Sequence, residues 1–217
     1  MSKHTHEKTL LTLCFAALVA SCSNAVDTQD AQDGAMGGTE YTVDASASSL
    51  QWYGHKPFVE NYGHGGAVQI QEGVVGISEG VLVSGSFILD MKTIVCTDEA
   101  LPQEKRDYLA GHLMSQDFFA VDSFATASFE ITQVDAAEGT YSHHISGNLT
   151  LRGVSKNIAF DANVTVSDSL VQLTSPRFSI DRKEWGVMYA STSILDLAKD
   201  NLISDDLGIT LNIVAKK

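Results

Sequence analysis

Histidines are the residues whose type and position come closest to a chemical site in this sequence. His55 and His64 flank a glycine-rich turn, and His143 and His144 are neighbours in the chain. Imidazole is a common zinc ligand, but adjacent residues of a strand point to opposite faces, so only one of that pair can enter a site. Neither a cysteine pair nor two histidines at helical spacing support zinc. The sequence therefore predicts no metal site and no cofactor.

The sequence motifs that would indicate an enzyme also have little support. The sequence has no phosphate-binding glycine loop and no cysteine with an evident histidine partner. Its 27 aspartates and glutamates are numerous, but abundance alone does not make a catalytic pair. We predict that the protein is not an enzyme.

The most specific local signal surrounds Cys22. Lys3 and Lys8 precede an apolar run at 10–19, which is too short to span a bilayer. The run leads into Leu18-Val19-Ala20-Ser21-Cys22, which resembles the bacterial lipobox, where the cysteine thiol is joined to diacylglycerol and the chain is cut before it. We predict that 1–21 is a lipoprotein signal peptide and that Cys22 is lipidated, which places the protein in the bacterial cell envelope, facing the periplasm or the cell surface. The alternative is an ordinary signal peptide with a coincidental cysteine.

Charge limits the partners of the predicted mature chain. Removal of 1–21 takes two of 14 basic and one of 27 acidic side chains, which leaves 12 against 26 and a formal charge of −14. This surplus argues against nucleic acid as a partner and against attachment to anionic lipids by a basic patch. Membrane contact is therefore expected through the anchor at Cys22. Cys96 is the only other cysteine after position 21, so we expect no internal disulfide.

The chain is predicted to form one domain behind a linker. Residues 22–39 are rich in Ser, Asp, Gln, Ala and Gly and offer little apolar surface, which is typical of a flexible tether. Residues 40–217 have the length and apolar content of a single domain.

Alternation with a period of two dominates that domain. Turn residues such as Gln71-Glu72-Gly73 and Ala137-Glu138-Gly139 separate the alternating runs, as expected for short connections between antiparallel strands. The pattern predicts an all-β fold, either a barrel or a sandwich. Apolar residues at alternate positions include Val81, Val83, Phe87, Leu89 and Met91; Ala127, Phe129 and Ile131; Tyr141, Ile145, Leu149 and Leu151; Ile158, Phe160, Ala162, Val164 and Val166; and Leu207, Ile209, Leu211 and Ile213.

Two stretches break the alternation. Residues 102–114 place Tyr108, Leu109 and Leu113 at roughly helical spacing, which predicts a short helix. A second, weaker helix is predicted at 194–199.

Several strings in the domain resemble the YceI-like family. They occur in the order and with the spacing that this family shows, and together they cover nearly all of 40–217. The strings are Gly111-His112-Leu113-Met114-Ser115-Gln116-Asp117-Phe118-Phe119, Ala127-Ser128-Phe129, Gly147-Asn148-Leu149-Thr150-Leu151-Arg152-Gly153-Val154, Phe178-Ser179-Ile180-Asp181-Arg182 with Trp185-Gly186, and Ile203-Ser204-Asp205-Asp206.

The resemblance implies an antiparallel lipocalin-like β-barrel of about eight strands, with one or two short helices and a long apolar cavity. Members of the family bind amphiphiles with long hydrocarbon tails, including polyisoprenoids, isoprenoid quinones and fatty-acid derivatives. This chain departs from many members at its first strand, where Trp52-Tyr53-Gly54-His55-Lys56 and a His64-Gly65-Gly66 turn replace the usual histidine. Because of this difference, the resemblance does not predict which of these ligands the chain binds.

Apolar inward residues are the predicted wall of the ligand cavity. Large side chains alternate there with small residues such as Gly85, Ala127 and Gly147, which we expect to leave room for a hydrocarbon chain. The predicted wall residues are Trp52, Val83, Phe87, Leu89, Leu109, Leu113, Phe129, Ile131, Leu149, Phe160 and Ile209.

Four polar residues are predicted at the cavity mouth: His112, Arg152, Arg182 and Lys183. Cations suit a phosphate or carboxylate head group, and hydrogen-bond donors suit a quinone carbonyl. Structural roles are the alternative for these residues. For example, Arg182 can form a surface pair with Asp181, and Arg152 can be a hairpin residue that serves only solubility.

The predicted function is binding and shielding of a long-chain lipid in the cell envelope, for storage, transport or stress protection. Two alternatives remain open from the sequence. One is a structural or interaction lipoprotein with a solid barrel, and the other is an enzyme that acts on a lipid head group.

Overall fold

One antiparallel sheet of eleven strands accounts for most of the chain in the computed structural model, which describes residues 25–194 and 196–217. Every strand pairing is antiparallel, as expected for short connections. The strands are β1 (Gln29–Asp30), β2 (Thr39–Val43), β3 (Ser49–His55), β4 (Gly63–Ser78), β5 (Val81–Cys96), β6 (Thr126–Ala136), β7 (His143–Leu151), β8 (Val154–Val166), β9 (Leu170–Thr174), β10 (Phe178–Asp181) and β11 (Asp206–Lys216).

Eight of the strands close into a ring, so the predicted barrel is confirmed. The ring runs from β3 through β4, β5, β6, β7, β8, β9 and β11, and β11 returns to β3. Two ends of the barrel can be distinguished. At the mouth end β3 stops at His55 and β11 begins at Asp206, whereas at the closed end β4 and β5 meet in the tight turn after Ser78.

Buried and exposed side chains alternate along these strands, but a bulge shifts the alternation in β5. Phe87, Leu89 and Met91 are buried, as predicted. The β4–β5 register jumps between the Gly76–Ser84 pair and the Ile77–Leu82 pair, which leaves Val83 as an extra residue. Because a bulge inverts which side chains point inward, Leu82 is buried and Val83 is only half-buried. The inward position predicted for Val83 is wrong.

The predicted helix is present as α1 (Gln103–Met114) and covers the mouth end of the barrel beside β5. The second predicted helix, at 194–199, is wrong. Ala198 has an extended backbone, and only a three-residue 3₁₀ helix, Lys199–Asn201, follows it. Another 3₁₀ helix, Arg182–Trp185, follows β10 directly. None of the helices within the described residues is both long and apolar enough to cross a membrane.

The segment 25–39 differs from the flexible tether expected of it. Ala25 pairs with Ser179 of β10, and β1 pairs with β8, so this segment lies between two strands that do not pair with each other in the described part of the chain. Farther along, Gln32 and Asn148 exchange two hydrogen bonds, of 3.0 and 2.6 Å. Backbone pairing holds the segment although it buries few apolar side chains, which composition alone does not reveal. The predicted signal peptide and lipidation site, 1–21 and Cys22, lie outside the described residues.

Candidate functional site

The main cavity lies at the mouth end of the barrel, beneath α1. Its volume is about 200 Å³ and its walls are mostly aliphatic and aromatic. Strands β3, β4, β5, β7 and β11 supply the floor and sides, while α1 and the loops at the mouth supply the cover. The wall consists of Leu50, Trp52, Gly54, His55, Lys56, Tyr62, His64, Val68, Leu89, Met91, Ile94, Leu109, Leu113, Phe118, Phe119, Leu149, Leu151, Arg182, Val187, Ile203, Ser204, Asp206, Leu207 and Ile209.

A second cavity, of about 50 Å³, lies deeper in the barrel. Leu50, Leu89, Leu149 and Ile209 line both cavities, so the two spaces adjoin through a shared apolar wall. Together they follow the axis of the barrel from the mouth towards the closed end.

A row of aromatic rings narrows the deeper cavity. Phe160 stacks on Phe178 with a centroid distance of 4.5 Å, and Phe129 lies 5.6 Å from Phe160. Gly147 does not leave an open space, because a Cβ atom there would collide with the Phe129 ring. The expectation that small inward residues create room is therefore wrong at Gly147, where the neighbouring ring fills the gap.

The structure brings most of the predicted wall residues together. Val83 is the exception, since it stands at the bulge and lies outside both walls. Contact of the others with a ligand stays a prediction. Trp52, Leu109 and Leu113 line the main cavity; Phe87, Phe129, Ile131 and Phe160 line the deeper one; and Leu89, Leu149 and Ile209 line both.

Of the four predicted mouth residues, only Arg182 borders the main cavity, and its guanidinium is already engaged. It is 4% exposed and donates to the carbonyl oxygens of Val187 at 2.8 Å and Ser204 at 3.0 Å. It also lies 3.3 Å from the Asp205 carboxylate. Burial lowers the pKa of Arg182, and the charge of Asp205 opposes that effect. Arg182 thus ties the loop before β11 to β10 and has few free donors for a ligand.

The other three predicted mouth residues lie outside the wall of the main cavity. Lys183 is paired with Asp181 and Asp205, at 3.3 and 3.2 Å. Burial disfavours its charged form, but the Asp205 hydrogen bond and the nearby carboxylates still raise the pKa of Lys183. These contacts give Lys183 a structural role.

Arg152 and His112 hold neighbouring loops. Arg152 donates to the carbonyl oxygens of Phe118 at 2.8 Å and Gly186 at 3.0 Å, which joins the loop after α1 to the turn after β10. His112 Nε2 lies 3.0 Å from an Asp117 carboxylate oxygen. The sequence predicted both residues as ligand contacts, but in the fold their hydrogen bonds hold the loops that cover the cavity.

The polar residues that do reach the mouth come from the β3–β4 connection and the start of β11. They are His55, Lys56, Tyr62, His64, Ser204 and Asp206. The two histidines around the glycine-rich turn were visible in the sequence, where they were considered as metal ligands. In the structure they border the mouth of the cavity.

His64 is fixed by a carboxylate. Its Nδ1 lies 2.8 Å from Asp98 Oδ2, and this hydrogen bond is the main reason that the pKa of Asp98 is lowered. With Nδ1 engaged, Nε2 is the ring nitrogen left to meet a ligand.

Trp52 carries a buried polar atom inside this apolar site. The ring lines the main cavity, and its Nε1–H has no hydrogen-bond partner among the described residues. Gly66 makes room for the ring, because a Cβ atom at that position would lie 2.6 Å from two of its carbons. A buried donor without a partner is unfavourable by about 1–3 kcal/mol, so Trp52 is suited to donate to a ligand oxygen.

Two chemical motifs can be located in the described residues. No group of three His, Cys, Asp or Glu side chains within 25–194 and 196–217 is placed to hold a metal ion. The string Gly76-Ile77-Ser78-Glu79-Gly80 has the spacing of a hydrolase nucleophile elbow, but it forms the β4–β5 hairpin rather than a strand-to-helix turn.

Comparison with known proteins identifies the family. The model of the YceI-like domain matches residues 41–215, which is most of the chain. The chain belongs to the YceI-like family. No curated protein matches the sequence significantly.

Solved structures share the YceI-like fold at low sequence identity. BcnA from Burkholderia cenocepacia is 16% identical, with a TM-score of 0.60 over 80% of this chain and 99% of its own. A polyisoprenoid binding domain from Saccharophagus degradans is 18% identical, with a TM-score of 0.56 over 81% of this chain and 97% of its own. These neighbours support the lipocalin-like barrel of the YceI-like protein.

Proposed function

We propose that this YceI-like protein binds and shields a long-chain amphiphilic lipid in the bacterial cell envelope, for storage, transport or stress protection. The ligand class is a polyisoprenoid, an isoprenoid quinone or a fatty-acid derivative, and the protein acts as a binding protein rather than an enzyme. The observation that carries the proposal is the pair of adjoining apolar cavities, which share four wall residues along the barrel axis.

Apolar burial supplies the affinity in this proposal. Each buried methylene contributes about 0.8 kcal/mol, so a dozen methylenes contribute on the order of 10 kcal/mol before the loss of ligand freedom is subtracted. The unpartnered Trp52 Nε1–H and the Nε2 of His64 offer hydrogen bonds to an oxygen-bearing head group. Family kinship to a protein described as polyisoprenoid-binding supports the same ligand class.

Binding of a long tail requires the two cavities to merge. A cavity of about 150 Å³ holds one benzene-sized group, so 200 Å³ accommodates only the first part of a polyisoprenoid. The two cavities would join if the residues of their shared wall moved apart, and movement of Phe129 and Phe160 away from the axis would then enlarge the deeper one. The aromatic row therefore acts as the adjustable floor of the site in this proposal.

We also propose that Cys22 is acylated and anchors the protein in the membrane. Supporting this are the lipobox-like residues before Cys22. The anchor is then a covalent lipid, distinct from the exchangeable lipid in the barrel.

Extraction of the protein tests the binding function. The full chain, purified from a bacterial envelope, is extracted with organic solvent and the extract is analysed by mass spectrometry, with an added isoprenoid quinone as a second probe. We expect a stoichiometric isoprenoid or acyl lipid. Repeatedly lipid-free protein that also ignores the quinone would instead favour a solid, structural barrel.

A matched pair of leucine variants ties the lipid to the cavities. Leu50 lines both cavities, whereas Leu170 is 39% exposed at the closed end. Leu50→Trp fills the shared wall and should abolish lipid retention, while Leu170→Trp adds the same ring outside and should retain it. Equal retention in both variants would place the lipid elsewhere.

A further inference from the structure

Exposed aromatic residues gather around the mouth of the main cavity. Phe58 is 54% exposed and Tyr62 43% exposed, both in the β3–β4 connection. Lys199 Nζ lies 5.6 Å from the Phe58 ring centre, and Lys56 Nζ lies 5.0 Å from that of Tyr62. Since Tyr62 also lines the cavity, this group forms one lip of the mouth.

A second part of the border is formed by α1 and the segment after β10. Tyr108 is 72% exposed, Met188 45% and Tyr189 42%. The Tyr189 ring contacts His112 at a centroid distance of 4.9 Å and Phe118 at 5.4 Å. Phe118 lines the cavity, so this second group also borders the opening. We call Phe58, Tyr62, Tyr108, Met188 and Tyr189 the mouth rim.

The closed end offers no comparable surface among the described residues. It exposes Met36 by 91%, Val81 by 50% and Leu170 by 39%, but none of its large exposed apolar side chains within the described residues is aromatic. Scattered exposed aliphatic residues are ordinary, whereas a grouped aromatic surface around a cavity is typical of an interaction site.

We propose that the mouth rim docks on the surface of a phospholipid bilayer, with the cavity opening towards the lipid. The inference rests on the proposed function, because an apolar ligand then passes between bilayer and cavity without entering water. Tyrosine and lysine suit this location, since both have an apolar body and a polar end that reaches the head groups.

The path of the chain places the predicted anchor near the rim. Ala25 pairs with Ser179, which lies two residues before Asp181, and Asp181 pairs with Asp206 in the wall of the main cavity. Two residues separate Cys22 from Ala25, and the three steps between them span at most about 11 Å. Cys22 therefore lies within that reach of β10, so an acyl chain on Cys22 can enter a bilayer that faces the mouth end.

Charge makes zwitterionic lipid the preferred surface. Lys56 and Lys199 stand at the rim, but Asp200 and Asp206 lie close by and the chain carries a net charge of −13. Docking is thus driven by apolar side chains, and anionic lipid should weaken it rather than strengthen it.

Quenching of tryptophan fluorescence by spin-labelled lipid tests the orientation of the docked protein. The full chain is added to phosphatidylcholine vesicles that contain spin-labelled lipid, with a reporter introduced as Phe58→Trp or, as control, Val81→Trp. The two positions have nearly equal exposure, at 54 and 50%, but stand at opposite ends of the barrel. We expect the spin label to quench most of the fluorescence added by the tryptophan at position 58. The fluorescence added by the tryptophan at position 81 should not be quenched. Equal quenching of both reporters, or of neither, overturns the proposal.

Transfer kinetics separate this proposal from lipid binding itself. The double variant Phe58→Ser/Met188→Ser should slow quinone transfer to phosphatidylcholine vesicles several-fold, while quinone extraction by cyclodextrin is unchanged. Val81→Ser/Leu170→Ser is the matched control and should transfer at the original rate. Unchanged vesicle transfer in the rim variant refutes docking, whereas a protein that never holds quinone refutes the binding function and leaves the quenching result to decide docking.

Discussion

The two halves of this barrel are stabilised in different ways. Below the main cavity, stacked rings such as Phe160 and Phe178 fill the interior and leave a cavity of about 50 Å³. At the mouth end, buried polar contacts such as that of Arg182 with Asp205 hold the loops in place around a cavity of about 200 Å³. The comparison shows how a protein keeps an apolar space open, because hydrogen bonds at its edge replace the packing that would otherwise fill it.

Removal of a ring from the aromatic row should have the largest effect. Phe160 is 4% exposed and contacts both Phe129 and Phe178. Phe160→Ala should lower the free energy of unfolding by about 3–5 kcal/mol and enlarge the deeper cavity. Urea denaturation measures the first effect, and the tail length of the quinone retained measures the second. A loss below about 1 kcal/mol would mean that the row contributes little packing.

Matched leucine truncations compare the halves directly. Leu82 is 1% exposed near the closed end and lines neither cavity, whereas Leu113 is 9% exposed and faces the main cavity. Leu→Ala changes in cores lower stability by about 2–5 kcal/mol. We expect Leu82→Ala near the upper limit and Leu113→Ala near the lower one, because Leu113 already borders empty space. Equal losses of unfolding free energy in urea denaturation would show that the two halves do not differ in packing.

Acid should weaken the contacts that Asp205 makes at the mouth end. Burial raises the pKa of Asp205, but hydrogen bonds from Thr192, Ser191 and Lys183 outweigh it and leave that pKa below its usual value. The carboxylate therefore stabilises the fold above the ordinary aspartate pKa of about 3.9. That contribution is lost as the pH falls through the folded-state value.

Hydrogen exchange across a pH series measures this effect. Amides near Asp205 should lose protection in acid before those of β5 and β6, and Asp205→Asn should reduce the pH dependence at the mouth end, where Asp98 also has a lowered pKa. Simultaneous loss of protection in both halves would show that Asp205 does not control the mouth.

The smallest effect is expected at Trp52. Trp52→Phe removes a buried donor without a partner, so the ligand-free protein should be equally stable or more stable by about 1 kcal/mol. Affinity for a quinone should fall by about fivefold, which corresponds to one lost hydrogen bond, while affinity for a hydrocarbon without a head group should not change. Fluorescence titration with both ligands distinguishes these outcomes. Equal losses for both would indicate a packing role alone.

Much of the fold follows from local pattern. Alternation in β5 to β8 predicts strands, and helical spacing at Tyr108, Leu109 and Leu113 predicts α1. Val83 shows the limit of this reasoning, because one unpaired residue reverses the phase of the strand before it. Residues 25–39 show another limit, since backbone hydrogen bonds to distant strands order a segment of tether-like composition.

The candidate site was less predictable than the fold. Apolar wall residues follow from alternation, since strand period fixes which side faces the axis. The polar mouth does not, because it depends on which loops meet above the barrel. His55 and His64 reach the cavity, whereas Arg152 and Lys183 bind carbonyl or carboxylate groups of the cover.

The sequence by itself determined the strand pattern, the helix α1 and the family, because each depends on residues close together in the chain. Only the tertiary structure decided which polar side chains meet the cavity, where the barrel is open and which positions the bulge reverses. The physical reason is that these features depend on contacts between residues such as Arg182 and Ser204, or Asp98 and His64, which are distant in sequence. Side-chain chemistry identifies such groups as polar, but the fold determines what each of them can bind.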